Sequence, residues 1–173
     1  MLQVFRGSRD SAWRRRILKP KVYLETTIPS FLAARASRDV VIVGQQQATR
    51  DWWQDRRQRY QLLISGLVLA ESRRGDAEAA KEREAILAVC GVLEFDAAAE
   101  RLARAILNSR LLPAKAAVDA AHIAVAAVHG VDFLLTWNCR HIANAAIVDR
   151  VRAVIADAGH VPPVISTPLE LMV

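Results

Sequence analysis

The sequence predicts an α/β fold in which helices pack on a mainly parallel sheet of about five strands. Short runs of β-branched and aromatic residues alternate with longer helical segments, which is typical of parallel strands joined by helices. Aspartate and proline stand where helices would begin, and glycine stands where one would end. The chain has 173 residues, 53% of them hydrophobic and 24% charged. This length and balance suit a single globular domain with a sizeable core.

The predicted strands are short apolar runs bounded by polar residues or glycine, at 22–24, 60–64, 92–95, 133–136 and 164–165. Pro29 follows two threonines and suits the first turn of a helix after the first strand. Asp39 and Asp96 are placed as N-caps. Pro113 and Gly130 would open and end an alanine-rich helix. Further helices are predicted at 40–57, 67–74, 76–89, 97–108 and 146–158.

The charge of the chain is concentrated at its N-terminus. Residues 1–21 carry seven basic side chains and one acid, which accounts for the whole net charge of +6. We therefore divide the chain into a basic extension, 1–20, and a domain, 21–173. The extension either contacts nucleic acid or is a mobile arm without a role in binding.

The cysteines and the hydropathy pattern bear on where the protein works. Cys90 and Cys139 are far apart in sequence and form no CxxC pair, which indicates a reducing setting and argues against structural zinc. No apolar stretch is long enough to span a bilayer, and no secretory signal is recognisable. We expect a cytoplasmic protein that does not associate with membranes.

One carboxylate, Asp119, lies within the alanine-rich segment 115–130. A helix that is apolar on all sides is usually buried. A buried carboxylate without a partner costs several kcal/mol, so Asp119 needs a partner, a proton or a metal ion. Lys115 is four residues away but can reach water, and we therefore interpret Asp119 as functional.

Three more polar side chains fall at or near the carboxyl ends of predicted strands, where open α/β sheets form their sites. Glu25 follows the first strand, Asn138 follows the fourth, and Glu71 lies on the helix after the second. Each also has a structural explanation, because Glu25 can complement a helix N-terminus, Glu71 can pair with an arginine, and Asn138 can cap a turn. Together with Asp119 they are expected to converge in one crevice.

The surrounding motifs occur in a fixed order: Val-Tyr-Leu-Glu25-Thr26-Thr27, Leu-Ala-Glu71, Val-Asp119-Ala-Ala-His-Ile-Ala and Leu-Leu-Thr136-Trp137-Asn138. In this order, with Asp119 and Asn138 19 positions apart, the chain resembles the PIN-domain family of metal-dependent nucleases. That family includes the VapC-type toxins of toxin–antitoxin pairs. Glu25 and Asn138 stand where the family more often has aspartate.

The resemblance implies a three-layer α/β/α sandwich and hydrolysis of RNA phosphodiester bonds with Mg²⁺ or Mn²⁺. It implies a catalytic set of Glu25, Glu71, Asp119 and Asn138, with Glu25, Asp119 and Glu71 as metal ligands. Oxygen ligands suit Mg²⁺ or Mn²⁺ rather than zinc. With three negative charges, we expect one well-held ion rather than two.

An RNA substrate follows from the same resemblance, and its contacts and the protein partners are predicted from individual residues. Thr26 and Thr136 are expected to position phosphate or a carboxylate, and Arg35 and Arg38 to contact RNA phosphates. A small antitoxin and a second copy of the chain are the expected protein partners. Trp52 and Trp53 either stack a base or combine core packing with an interface.

Two histidines lie near the predicted site, and two other functions are compatible with parts of the sequence. His122 and His141 lie three residues after Asp119 and Asn138, but a buried or capping role is the commoner explanation, and neither joins the catalytic set. Asn138 also favours a non-catalytic RNA- or protein-binding module that has lost its metal site. A small phosphate-ester hydrolase would place a nucleophilic aspartate after the first strand, where this chain has Glu25.

Overall fold

A five-stranded sheet forms the centre of the protein, for which a computed structural model describes residues 19–172. In chain order the strands are β1 (Lys21–Leu24), β2 (Gln61–Ser65), β3 (Gly91–Leu93), β4 (Phe133–Leu135) and β5 (Val164–Ser166). All neighbouring pairs are parallel, in the order β3-β2-β1-β4-β5. The chain thus starts in the middle, builds outward to β3, and returns to the other side of β1.

The helices cover the sheet in two groups, which gives the predicted three-layer α/β/α arrangement. They are α1 (Thr27–Ala33), α2 (Val40–Asp55), α3 (Gly66–Ser72), α4 (Ala77–Leu87), α5 (Ala97–Asn108), α6 (Ala117–Val128) and α7 (Val148–Asp157). Helix α1 packs against α2 and α4, and α3 against α4, whereas α5 packs against α6 and α7. β1 is buried between the layers, with Val22, Tyr23 and Leu24 fully inaccessible.

The helix starts agree with the predicted caps. Asp39 accepts hydrogen bonds from the second and third amides of α2, and Asp96 accepts one from Ala99. Asp76 caps α4 in the same way through Ala79. The third strand is shorter and earlier than predicted, because the chain from 94 onward already turns towards the Asp96 cap.

The alanine-rich helix differs from the prediction at its start. Pro113 precedes a 3-10 turn at Ala114–Ala116, and the α-helix begins only at Ala117. Asp119 therefore lies in the first helical turn, and its side chain is 20% exposed. Full burial of Asp119 was thus a wrong expectation, whereas the segment from Ala120 to Ala127 is buried throughout. At the other end, Gly130 has a φ of 58°, the left-handed conformation in which glycine commonly ends helices.

The tryptophan pair divides between core and surface. Trp52 is fully buried and packs against Tyr60, with ring centroids 5.7 Å apart. Its burial leaves no room for base stacking. Trp53 is half-buried, and the Arg57 guanidinium lies 5.0 Å from its ring centroid. Within residues 19–172, none of the helices combines the length and the apolar character that crossing a membrane would require.

The first 18 residues, which hold most of the predicted basic extension, lie outside the described part of the chain. The division into an extension and a domain at residue 20 therefore stays a prediction.

Candidate metal and catalytic site

The predicted residues meet at the carboxyl edge of the sheet, between β1 and β4. The next strand after β1 is β2 on one side, whereas the next strand after β4 is β5 on the other side. Such a change of direction is where α/β sheets open a crevice. Glu25 follows β1 directly, and its amide bonds to the Leu135 carbonyl at the end of β4. Thr136 continues β4 and bonds to Ser166 of β5. Sheet register alone therefore brings Glu25 and Thr136 together.

Glu25 is held through one of its two carboxylate oxygens. The side chain is 5% exposed. Its Oε2 accepts hydrogen bonds from the Thr27 amide (3.1 Å), the Thr27 hydroxyl (2.6 Å) and the Thr136 hydroxyl (2.7 Å). Its Oε1 accepts none from the described residues. The carboxylate is thus fixed in orientation with one oxygen left for another ligand.

Glu71, on α3, is held in the same way. Its Oε2 accepts from the Thr26 hydroxyl and lies 3.0 Å from His122 Nε2, while its Oε1 has no hydrogen-bond donor within residues 19–172. The hydrogen bond from His122 lowers the pKa of Glu71 below its usual value. Partial burial opposes this shift, and the Thr26 hydroxyl and the charges of His122 and Arg74 add to it.

His122 connects Glu71 to the interior. Its side chain is 1% exposed, and its Nδ1 lies 2.7 Å from the Tyr23 hydroxyl, which lies 2.7 Å from Ser65 Oγ. Burial raises the pKa of Tyr23, and the nearby charges of Glu25 and Glu71 add to this, against a lowering by the Ser65 hydrogen bond. The phenol therefore stays neutral, and the imidazole is fixed at both ring nitrogens.

Glu25, Glu71 and His122 can hold a metal ion together. One potential ligand atom from each side chain lies within 4.8 Å of the others. Glu25 follows β1 and Glu71 lies on α3, yet each has an oxygen without a hydrogen-bond donor among the described residues. This donor set fits a divalent cation, because two adjacent carboxylates repel each other unless a cation or a proton lies between them.

Asp119 and Asn138 form the other half of the crevice. Asn138 Nδ2 donates to Asp119 Oδ1 (2.9 Å), and His141 Nδ1 lies 2.7 Å from Asp119 Oδ2. Asn138 Oδ1 accepts from the His141 amide (3.1 Å). Both Asp119 oxygens therefore have protein partners, unlike those of the two glutamates. This pairing supplies what a partly buried carboxylate requires.

Thr136 links the two halves. Its hydroxyl donates to Glu25 and accepts from the Asn138 amide at 2.9 Å. The side chain is fully buried. Thr26 and Thr136 both donate to glutamate oxygens, so each contacts a carboxylate, one of the two types of partner expected for them.

The predicted substrate-contacting arginines lie further out, and both are exposed. Arg35 lines a groove between α1 and α4 whose other charged residues are Asp76, Glu78 and Glu82. Arg38 is in the segment between α1 and α2. The structure thus brings together the three acids, the Asn138 amide and the two threonines. It does not bring Arg35 or Arg38 into their hydrogen-bond network.

Known structures share this fold. VapC20 of Mycobacterium tuberculosis, a toxin that cleaves the sarcin-ricin loop, superposes with a TM-score of 0.52 at 18% identity, covering 72% of this chain and 95% of that one. VapBC2 of Rickettsia felis, bound to a promoter DNA fragment, gives 0.54 at 14% identity, covering 84% and 97%. DNA-bound VapBC of Salmonella typhimurium gives 0.55 at 14%, covering 86% and 98%. The chain has the PIN-domain fold. No protein-family model and no curated protein sequence matches this chain.

His122 and His141 contact the acids but are absent from the catalytic set predicted from the sequence. His122 is three residues after Asp119 on α6, a spacing that places the two side chains on neighbouring parts of one helix face. His141 lies three residues after Asn138, within reach of a side chain capping the same turn. These spacings were visible in the sequence, but a buried histidine is so often structural that spacing alone did not identify them.

Proposed function

We propose that this PIN domain is a metal-dependent endoribonuclease and the toxin of a toxin–antitoxin pair. The observation that carries the proposal is the pair of glutamates, each held by donors at one oxygen and free at the other. They lie at the switch point of a fold shared with VapC20, a toxin that cleaves the sarcin-ricin loop. Hard oxygen ligands of this kind suit Mg²⁺ or Mn²⁺.

The residues of the crevice have distinct proposed roles. Glu25 and Glu71 bind the ion through their free oxygens, and Asp119 completes the binding from the other half of the crevice. Thr26 and Thr136 orient the glutamates, and Asn138 and His141 orient Asp119. When bound, a divalent ion stabilises the charge that develops on the scissile phosphate. Arg35 and Arg38 stay predicted phosphate contacts on the adjacent surface.

An antitoxin is the proposed protein partner. Two of the similar structures are VapBC complexes, in which a VapC chain occurs with VapB. On this chain, Val40, Val41 and Val43 at the start of α2 are exposed, the first by 82%. Contiguous exposed apolar residues of this kind commonly mark interaction surfaces. A homodimer stays a prediction from the sequence.

The test is cleavage of a panel of single-stranded and structured RNAs in EDTA, Mg²⁺ and Mn²⁺. Glu71→Gln and Asp119→Asn should each lower metal-dependent cleavage by at least about 100-fold, because each removes a charge that binds the ion. Asp157→Asn is the matched control, because Asp157 is exposed at the end of α7. The chain from this residue leads to the amino end of β5, at the edge of the sheet opposite the crevice. It should cleave like the unmodified protein.

A non-catalytic binding module is the second candidate, and the Asn138 amide favours it. This amide gives Asp119 a partner without any metal. If calorimetry detects no bound Mg²⁺ or Mn²⁺ and no RNA is cut, while RNA or a protein partner still binds, this second function replaces the first.

A further inference from the structure

The buried imidazole of His122 lies beside the Glu71 carboxylate and can share a metal ion with Glu25 and Glu71. We propose that His122 Nε2 is a direct ligand of the bound ion, so that the site prefers first-row transition-metal ions to Mg²⁺. This inference rests on the proposed function, because it concerns the ion of the same site.

The distances fit a shared ion. His122 Nε2 lies 3.0 Å from Glu71 Oε2, and the three side chains each bring a ligand atom within 4.8 Å of the others. Two neighbouring ligands of an octahedral ion, with bonds of about 2.1 Å at right angles, lie about 3 Å apart. A hydrogen bond has a similar length, so the surroundings of the imidazole have to distinguish the two arrangements.

The other ring nitrogen is held as metal-binding histidines require. A ligating imidazole usually donates its second N–H to a fixed acceptor, which sets the tautomer and the ring orientation. Here Nδ1 lies 2.7 Å from the Tyr23 oxygen, and that oxygen lies 2.7 Å from Ser65 Oγ. Tyr23 can accept from Nδ1–H because Ser65 accepts the phenol proton in turn. In this tautomer the lone pair of Nε2 points towards the Glu71 carboxylate.

A lone pair facing a carboxylate is favourable only with a proton or a cation between them, and a bound ion fills this place when Nδ1 carries the proton. His122 cannot turn away, because its side chain is 99% buried and fixed by Tyr23. Glu71 Oε1 and Glu25 Oε1 lack donors among the described residues, so this half of the crevice would give the ion two oxygens and one nitrogen.

The nitrogen changes which ion binds best. Mg²⁺ prefers oxygen ligands, whereas imidazole increases affinity along the series from Mn²⁺ to Co²⁺ and Ni²⁺. The all-oxygen site expected from the sequence has no such preference for nitrogen-binding ions. His122 is thus expected to determine metal selectivity in addition to orienting Glu71.

The decisive measurement is pulsed EPR of Mn²⁺ bound to the full chain. Directly coordinated ¹⁴N should couple to the ion, and the coupling should change to that of ¹⁵N when histidine is labelled. His122→Gln should remove the coupling and lower the preference for Co²⁺ or Mn²⁺ over Mg²⁺, measured by calorimetry, by at least about 10-fold. His160→Gln is the matched control, because His160 lies between α7 and β5 and outside the crevice, and it should retain the nitrogen coupling.

Because His122 is buried, His122→Gln is first checked for folding by circular dichroism. If it does not fold, the variant in which the other three histidines, 129, 141 and 160, are replaced makes His122 the single histidine. Nitrogen coupling in that variant assigns the ligand to His122 without altering it.

The outcomes separate this inference from the proposed function. Metal-dependent RNA cleavage with bound Mn²⁺ but no coordinated nitrogen overturns the inference alone, and His122 is then only a hydrogen-bond donor to Glu71. Nitrogen coupling without RNA cleavage supports the inference and overturns the nuclease. Absence of both metal binding and cleavage overturns both.

Discussion

Replacing Asn138 by aspartate tests how the half of the crevice that contains Asp119 tolerates a second negative charge. Asn138 Nδ2 donates to Asp119 Oδ1 at 2.9 Å. Asn138→Asp keeps the size of the side chain but exchanges this donor for a second negative oxygen. In the absence of metal, a hydrogen bond becomes a repulsion between two carboxylates.

The size of the effect follows from the distance. Two unit charges about 3 Å apart repel by about 6 kcal/mol at an effective dielectric of about 20. Both side chains are part-exposed and can move apart, and at about 5 Å the repulsion falls to about 3 kcal/mol. The free energy of unfolding should therefore fall by about 3 kcal/mol, or roughly 6–12 °C in melting temperature for a chain of this size.

The assay is thermal melting in EDTA and again in Mn²⁺. Asn138→Ala is the control, since it removes the hydrogen bond without adding charge and should cost only about 1 kcal/mol. Metal at about 100 times its dissociation constant should restore about 2.7 kcal/mol. Asn138→Asp should gain more from metal than the unmodified protein does.

Equal melting temperatures of Asn138→Asp and Asn138→Ala in EDTA would contradict the predicted charge repulsion. So would a melting temperature of Asn138→Asp that Mn²⁺ leaves unchanged while the ion stabilises the unmodified protein. Either result would mean that the 138 side chain does not act on the charge of Asp119.

Thr136→Val should lower the free energy of unfolding by about 2–3 kcal/mol in urea, because the buried hydroxyl serves both Glu25 and the Asn138 amide. Thr136→Ser should cost less than about 1 kcal/mol for one methyl group, and equal losses for both variants would contradict this role. The pKa of Glu71 is lowered, chiefly by the His122 hydrogen bond, so its stabilising contribution is present above its unfolded pKa and is lost as the pH falls through the lower folded value. In EDTA, the deficit of Glu71→Gln relative to the unmodified protein should be constant near pH 7 and shrink below about pH 4; a deficit independent of pH would show that the ionised form contributes nothing.

Local rules placed most of the elements. The caps at Asp39, Asp76 and Asp96 depend on side chains that bond to amides two or three residues away, so the helix starts were predictable. The start of α6 was not, because a proline favours the first helical turn but does not fix whether that turn is α or 3-10. This small difference moved Asp119 from a presumed buried position to a part-exposed one.

The residues of the candidate site could be predicted from the sequence, but the hydrogen bonds between them could not. Strand ends in a parallel sheet share one edge, so Glu25, Glu71, Asp119 and Asn138 could be expected to converge. Which oxygens are held and which are free depends on donors far away in sequence, such as Thr136 for Glu25 and His122 for Glu71.

The sequence by itself determined the α/β class, the order of its elements and the segments that carry the candidate site. These depend on the spacing of apolar residues and on helix capping, which act over a few residues. The tertiary structure decided that His122 joins the two glutamates while Asp119 bonds to Asn138 and His141. Hydrogen bonds and ligand sets require positions accurate to a few tenths of an ångström between distant segments. The packing of α3 against β2 and of α6 against β4 fixes those positions.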